Sequence, residues 1–404
     1  MKLLIADKFS GTAIEELKSL GLEVSYDAEL KDSALVEALR VQQPAILVVR
    51  STKVTADMLG AADSLQLVVR AGAGVNTIDV NAASKLGIFV TNCPGKNAVA
   101  VAELTMGLIL ALDRRIPENV AALRGGEWNK GEFCKARGLK GRTLGLIGLG
   151  NIGKEVALRA QAFDMRVIGW SRSLTESSAE ELGIGYRSTP AQVAEESQIV
   201  SVHLALTSGT RGICDKSFFN ALKKDAFFIN TSRDEVVDEG ALLEAIKTKN
   251  IRVGTDVFAG EPTGATATWQ SEFSTHPNVI GTHHIGASTD QAQEAIGDEA
   301  LRIVKTFIKR GEVLNCVNID LDTPATHILS VRHLNRVGVL AAVLSELQKA
   351  DINVLDMENK IFEGDEAAIA KLRLSQEADK TVIEAIRRSH TAVISISILE
   401  AKRK

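Results

Sequence analysis

The stretch Thr143-Leu144-Gly145-Leu146-Ile147-Gly148-Leu149-Gly150-Asn151-Ile152-Gly153 limits this chain more than any other. Its apolar first half reads as a buried parallel strand. It runs straight into Gly148-x-Gly150-x-x-Gly153, and a helical pattern follows from Lys154 to Phe163. In such a turn the first glycine allows the tight bend, the second lets backbone approach a pyrophosphate, and the third lets helix pack on strand. The free N–H groups and dipole of the helix N-terminus then hold the phosphate charge. A second strand, Met165 to Trp170, comes at the right distance. Strand, glycine turn, helix and strand in this order predict a dinucleotide-binding unit.

The tip of the second strand is where the ribose is read. An acidic residue there would bond the 2′-hydroxyl of NAD. This chain has Ser171 and Arg172 instead. A hydroxyl and a charged fork suit the 2′-phosphate of NADP. If Arg172 is only a solvated loop residue, NAD still binds through its other contacts, so the cofactor is NAD or NADP.

Strands and helices alternate through most of the chain, which argues for parallel sheets covered on both faces. At 404 residues, two or three domains are expected. The net charge of −4 gives no basic footprint for nucleic acid, and no apolar run approaches the length of a membrane span. Cys93, Cys134, Cys214 and Cys316 are far apart and form no metal-ligand pattern, which predicts a reducing cytoplasm and no metal site. From Thr326 a new unit begins, whose β-α-β-β-α-β order is ferredoxin-like.

Ligands in open parallel sheets bind beyond the carboxyl ends of the strands. Five such ends carry chemistry. Arg50, Ser51 and Lys53 follow one strand, and Arg70, Gly72, Ala73 and Gly74 follow another; both bring cations and hydrogen-bonding groups suited to an anionic substrate. The segment Asn230-Thr231-Ser232-Arg233, the segment Asp256 to Glu261, and His283-His284-Ile285-Gly286-Ala287 end three more strands. Oxidising a hydroxyl needs a hydride acceptor, a base and a cation for the acid group. Histidine titrates near neutrality, a neighbouring carboxylate favours its imidazolium, and arginine grips a carboxylate with two hydrogen bonds. His284, Glu261 and Arg233 fill these roles, with His283 as the competing base. The long helix from Ala98 is apolar almost all round, so Glu103 is expected to be buried with partners. Residues 125–138 read as an exposed arm whose Lys130, Lys135 and Arg137 reach a neighbouring subunit.

These motifs, with Val101-Ala102-Glu103-Leu104-Thr105 and His284-Ile285-Gly286-Ala287-Ser288-Thr289, resemble the D-2-hydroxyacid dehydrogenases over nearly the whole chain. Among them the likeness is to the phosphoglycerate dehydrogenases that carry a C-terminal ACT domain. The resemblance implies a doubly wound Rossmann dinucleotide-binding domain (98–289), a flavodoxin-like substrate-binding domain (1–97 with 290–312), a linker (313–325) and an ACT domain (326–404). It implies Arg233, Glu261 and His284 as the catalytic trio. Cofactor contacts are implied at Gly148, Gly150, Asn151, Ile152, Gly153, Ser171, Arg172, Thr231, Ser232, Arg233, Asp256, His284, Gly286 and Ala287. The implied reaction is oxidation of 3-phosphoglycerate to 3-phosphohydroxypyruvate at the start of L-serine synthesis, with the phosphate at Arg50 and Lys53. A homodimer is implied, extended to a tetramer by ACT pairing, with serine as an effector at His333, Asn335 and Asn353. An ACT pair that only assembles the protein is the other reading of that domain. Four departures stand out: Asp234 follows the arginine where the family has glycine, Val337 replaces a proline, His283 replaces a common proline before the catalytic histidine, and Ser171 replaces the acid. They leave open an NADPH-linked reductase of glyoxylate or hydroxypyruvate. A nucleotide-sensing corepressor-like protein, which would not need the trio, is the alternative outside enzymes.

Overall fold

The computed structural model describes residues 1–262, 266–320 and 324–401. It divides into two compact units, Met1–Asn318 and Ile319–Lys404. The first unit is built on two wholly parallel sheets. In one, β1 (Lys2–Ile5), β2 (Glu23–Tyr26), β3 (Ile46–Val49), β4 (Leu67–Arg70) and β5 (Phe89–Thr91) lie in the order β2-β1-β3-β4-β5, the flavodoxin-like arrangement. In the other, the strands are β6 (Thr143–Ile147), β7 (Arg166–Trp170), β8 (Gly185–Tyr186), β9 (Ile199–Val202), β10 (Phe227–Asn230), β11 (Arg252–Thr255) and β12 (Val279–Gly281). Their order, β12-β11-β10-β9-β6-β7-β8, is the doubly wound dinucleotide-binding one with an added strand.

The sequence explains these sheets locally. Ile46-Leu47-Val48-Val49 and Leu144-Gly145-Leu146-Ile147 are buried throughout, because helices cover both faces of a parallel sheet. Helix Ala98–Arg114 packs on helix Asn151–Ala162 and on β10 and β11. Helix Asp290–Arg310 returns to the first sheet, where Ile296, Ala300, Ile303, Val304 and Phe307 enter the same core as Leu3, Ile46 and Leu67. Thr289 caps that helix at the Ala292 N–H, and Gly311 ends it in the left-handed region.

Three expectations change. Glu103 faces outward and lies 3.7 Å from Arg159. A helix with few polar positions still leaves one strip wet. Helix Ile116–Arg124, unforeseen in the sequence, carries no buried residue, and in the arm beyond it Lys135 pairs with Glu132 at 3.0 Å. The linker expected over 313–325 is anchored in its first half. Cys316 bridges Thr91, and the Asn318 side chain accepts from the Val90 N–H and donates to the Ile88 carbonyl, each at 2.8 Å. Residues 321–323 lie outside the described ones, as do 402–404 of the expected ACT domain.

The second unit is an antiparallel sheet of β13 (His327–Leu334), β14 (Val354–Ile361), β15 (Ala367–Leu374) and β16 (Val393–Glu400) in the order β14-β15-β13-β16. Helices Val339–Lys349 and Lys380–Ser389 cover one face, closing a core of Leu329, Val331, Val343, Leu347, Leu372 and Ile386. This is the ferredoxin-like topology. No helix among the described residues is long and apolar enough to cross a membrane.

Candidate active site

Three neighbouring strands of the second sheet end at one edge. After β10, Asn230 folds the chain back on itself. Its side-chain oxygen accepts from the Ser232 N–H (3.0 Å) and hydroxyl (2.8 Å), and its amide donates to the Arg233 carbonyl (2.8 Å). This turn presents Arg233, whose Nη1 donates to the Ser232 carbonyl at 2.6 Å. After β11, Glu261 takes the Phe258 N–H on one oxygen at 2.8 Å and meets His284 Nδ1 at 2.7 Å with the other. After β12, His284 sits in the left-handed region at φ 52°, a conformation non-glycine residues seldom adopt. Asp256 holds it there. One carboxylate oxygen accepts from the Thr282 hydroxyl (2.6 Å) and the Ile285 N–H (2.9 Å), and the other from the Gly286 N–H (2.8 Å).

The pair is electrostatically matched. The hydrogen bond that His284 donates to Glu261, with the carboxylate's charge, raises the His284 pKa against the opposing effects of burial and Arg233. Burial pushes the Glu261 carboxyl up, but the hydrogen bonds from His284 and Phe258 and the nearby positive charges bring it below its ordinary value. Glu261 is therefore an anion at neutral pH, and it favours the protonated form of His284. Next to Arg233, Asp234 is pushed up to about 6, by burial first and then by the hydrogen bond and charge of Glu235.

The first sheet brings cations to the same unit. Asp7, buried at the end of β1, accepts the N–H groups of Arg50 (2.7 Å), Ser51 (3.1 Å) and Thr52 (2.9 Å) and the Ser51 hydroxyl (3.0 Å). One carboxylate thus shapes the loop that carries Arg50. Arg70 folds over Gly72, where a β-carbon would lie 1.5 Å from Nη1. Its Nε is buried without a partner, and burial, Arg233 and Arg50 all hold its pKa below the usual guanidinium value. A β-carbon on Gly74 would meet Arg233 Nη2 at 2.6 Å, so this glycine lets the two sheets share a site. The guanidiniums of Arg50, Arg70 and Arg233 lie in one another's fields, with Asp7 and Glu261 acting against them, and such a cation group is a place for an anion.

The glycine turn fits a dinucleotide. Gly148 has φ 102°, and a β-carbon on Gly153 would lie 2.1 Å from the Gly148 carbonyl oxygen, so helix and strand are in contact there. A β-carbon on Gly150 would meet nothing within 4 Å, which leaves room for a phosphate, and no side chain caps the helix that starts at Asn151. Thr231 hydrogen-bonds Thr105 at 3.0 Å, and the Asn151 side chain lies over Gly95. At the β7 tip Ser171 is half-buried, and Arg172 is exposed with no ion pair among the described residues.

Among the residues expected to act together, Arg233, Glu261 and His284 share one edge, and Arg50, Arg70 and Gly74 share its continuation. Lys53 is exposed and lies outside the cleft beside Arg50. In the second unit His333 is buried, with Nε2 3.1 Å from Asn359 and Nδ1 2.8 Å from its neighbour's carbonyl, whereas Asn335 and Asn353 are exposed. Sequence reasoning passed over Asp7 and Gln293, which donates to the Ala287 carbonyl at 2.7 Å. An acid directly after a strand was the only signal for Asp7. It also passed over His203, buried beside the glycine turn and lowered to about 3 by that burial, with Nδ1 unpartnered.

Residues 106–286 match the model of the D-isomer specific 2-hydroxyacid dehydrogenase NAD-binding domain. The D-3-phosphoglycerate dehydrogenase of Methanocaldococcus jannaschii is 40% identical over 322 residues, 79% of this chain and 60% of that protein. The Bacillus subtilis enzyme of the same name is 34% identical over 376 residues, covering 93% of this chain and 68% of its own length. Against the first of these relatives the chain thus spans about three-fifths of the partner's length. Among solved structures, an NADPH-dependent glyoxylate/hydroxypyruvate reductase from Sinorhizobium meliloti, in complex with NADP and malonate, superposes with a TM-score of 0.67. It is 30% identical, covering 78% of this chain and 96% of its own.

Proposed function

This chain belongs to the D-isomer specific 2-hydroxyacid dehydrogenase family, and from that premise we propose that it is a D-3-phosphoglycerate dehydrogenase, interconverting 3-phosphoglycerate and 3-phosphohydroxypyruvate at the entry to L-serine synthesis. The observation that carries the reading is the Glu261–His284 hydrogen bond of 2.7 Å at an edge shared with Arg233. The names of the Methanocaldococcus and Bacillus relatives support the phosphorylated substrate, as does the cation group at Arg50 and Arg70.

In the direction of reduction, His284 as imidazolium donates its proton to the carbonyl oxygen. In the direction of oxidation, neutral His284 takes the hydroxyl proton. Glu261 fixes the ring tautomer through Nδ1, leaving Nε2 for the substrate. Arg233 grips the carboxylate and stabilises negative charge on the reacting oxygen. Asp256 keeps the His284 loop in place. The dinucleotide, when bound, supplies or accepts the hydride. Gly148, Gly150, Gly153, Asn151 and Ile152 would hold its phosphates, and Ser171 with Arg172 its ribose.

A second reading has its own observation. The β7 tip offers an Arg172 with no ion pair among the described residues and no acid, which favours NADPH and the glyoxylate or hydroxypyruvate reductase activity named for the Sinorhizobium relative. A corepressor-like sensor would have no use for a matched Glu261–His284 pair. For assembly, Ile116, Val120, Leu123 and Trp128 form an exposed apolar run, with Trp128 82% exposed, which supports a homodimer. The second unit serves pairing or an effector such as serine. With His333 bonded to Asn359, the exposed Asn335 and Asn353 would carry that contact. Four cysteines present as thiols support a cytoplasmic setting.

The test is initial-rate reduction of 3-phosphohydroxypyruvate, hydroxypyruvate and glyoxylate, each with NADH and NADPH. The phosphorylated acid is expected to give the highest kcat/KM. Equal or faster rates with the unphosphorylated acids would move the protein to the reductase reading. The cofactor ratio decides whether Arg172 reads a 2′-phosphate.

A further inference from the structure

The chain crosses between its two sheets twice. The first crossing, 92–97, runs from β5 into helix Ala98–Arg114, and the second, 282–289, from β12 into helix Asp290–Arg310. A carboxylate that is only 5% exposed, Glu299, sits where the two are joined. We propose that Glu299 and Lys96 are positioning residues for hydride transfer: their ion pair fastens the first crossing to helix Asp290–Arg310 and so sets the cofactor turn against the substrate side of the site. The inference goes beyond the reading above, since it needs the family's dinucleotide chemistry and not a particular keto acid.

Three observations carry it. First, the crossing segment touches both parts that have to be aligned. On the substrate side, the Cys93 N–H donates to the Gly72 carbonyl (2.9 Å) and the Asn92 amide to the Ala73 carbonyl (2.6 Å). These bonds hold the loop that meets Arg233 at Gly74. On the cofactor side, Gly95 has φ 76°, and a β-carbon on it would lie 2.7 Å from Nδ2 of Asn151, the first residue of the helix behind the glycine turn. Second, the same segment is tied along its length to helix Asp290–Arg310 and the chain just after it. The Cys93 thiol donates to the Ile296 carbonyl (3.6 Å), the Asn315 amide donates to the Asn92 carbonyl (3.3 Å), and Lys96 Nζ lies 3.4 Å from Glu299. Asn315 also donates to Glu299 at 2.8 Å, so the carboxylate is common to the Asn92 and Lys96 ties. Third, the two cations on Glu299 are not equivalent. Arg302 lies three residues along the same helix and donates to both carboxylate oxygens, at 2.6 and 3.0 Å, so it neutralises the charge without joining separate parts of the chain. Lys96 comes from the other crossing and directly follows Gly95.

A buried carboxylate supplies geometry as well as stability. Its partners must meet its lone pairs from fixed directions, whereas an apolar contact tolerates sliding. Direction matters here, because a misplacement of about 1 Å between reacting groups costs up to about 10²-fold in rate. Glu299 holds Lys96, Lys96 holds Gly95 against Asn151, and Asn151 opens the helix at which the dinucleotide phosphates are expected.

The test uses the full chain as wild type, Lys96→Met, Glu299→Gln, the double variant of these two, Lys96→Arg and Arg302→Gln. The cofactor Kd, by fluorescence titration, and kcat are measured with the dinucleotide and keto acid that wild type uses fastest. Lys96→Met is expected to weaken cofactor binding about fivefold and to lower kcat about threefold, the scale of one ion pair with a buried member. Glu299→Gln is expected to do the same, and the double variant to be no worse than either. Lys96→Arg should restore both quantities. Arg302→Gln, which takes a cation from the same carboxylate, is expected to lower Tm and leave Kd and kcat at their wild-type values. Equal losses in Lys96→Met and Arg302→Gln would make the network structural only and overturn the inference. Additive losses in the double variant, or unchanged values throughout, would do so too. A weakened cofactor in Lys96→Met beside an unaffected Glu299→Gln would make Lys96 a direct contact of the dinucleotide and likewise overturn the assignment. Because the keto acid is chosen by rate, a failure of the phosphoglycerate reading shows in the wild-type preference and leaves this comparison intact.

Discussion

At His284 the carboxylate of Glu261 raises the imidazole pKa above 6.5. Reduction of a keto acid requires the imidazolium, so its rate falls as pH rises through that raised value. Oxidation requires neutral imidazole, so its rate climbs over the same range. Replacing Glu261 by Gln removes the charge and keeps the shape. Both limbs should then move to lower pH, with kcat down roughly 10²-fold because the tautomer is less firmly fixed. Profiles of kcat against pH in both directions check this. A loss of rate with limbs that stay in place would show that Glu261 does not tune His284. The trio was readable because each member lies within a few residues of the end of a short apolar strand. Asn230 was visible only as part of a motif, and its role in folding the Arg233 turn needed coordinates. Asp7 was harder still, since its partners are backbone N–H groups more than forty residues away.

Helices and strands were legible where periodicity was long. Parallel strands such as Ile46–Val49 announced themselves as unbroken apolar runs, but β5 and β8, three and two residues long, carried no pattern to read. Glu103 was misjudged for a related reason: small residues around the helix look apolar whether they face a core or water. The glycine turn gives an element-scale prediction. Gly153→Ala would put a methyl group 2.1 Å from the Gly148 carbonyl oxygen, so helix and strand must separate. A loss of about 1–3 kcal/mol in stability is expected. Dinucleotide affinity should weaken at least tenfold, read by thermal denaturation and by cofactor fluorescence titration. Unchanged cofactor affinity would count against the phosphate cradle.

Helix Asp290–Arg310 supplies a second prediction. Its buried Glu299 is held at about 2, chiefly by the hydrogen bond from Arg302 and further by Asn315 and Lys96. A depressed carboxyl contributes stability above its unfolded value of 4.5 and loses it as pH falls toward 2. Glu299→Gln should therefore lower the unfolding free energy at pH 7 by on the order of 1 kcal/mol, and Tm with it. The gap from wild type should close on acidification between those two values. A gap that persists at low pH would assign the loss to packing instead of charge.

For the whole molecule, every candidate active-site residue lies within Met1–Asn318, and the second unit closes a core of its own. A chain ending after Asn318 should keep kcat within about twofold and lose any response to an amino-acid effector. The end point matters, because Asn318 joins Val90, Ile88 and Ser84. A chain cut before Asn315 should be less stable, as measured by thermal denaturation of the two products side by side. Domain order was legible because glycine turns and alternation are local signals. The point where one unit ends was not, since residues 315–318 look like connector in the sequence and are secured only by partners far along the chain.

The contact between Gly148 and Gly153 has a consequence for how such a protein can change. At Gly148 and Gly153 that turn has no slack, so a side chain at either position forces backbone or neighbours to move. The tip beyond Trp170 is loose by comparison, with Arg172 and Ser173 in solvent. A lineage, or an engineer, wishing to exchange one redox currency for the other therefore has a frozen joint and an interchangeable fitting side by side, the Gly148 N–H donating to the Trp170 carbonyl at 2.8 Å. Drift in cofactor taste should accumulate at 171–173 and leave 148–153 untouched.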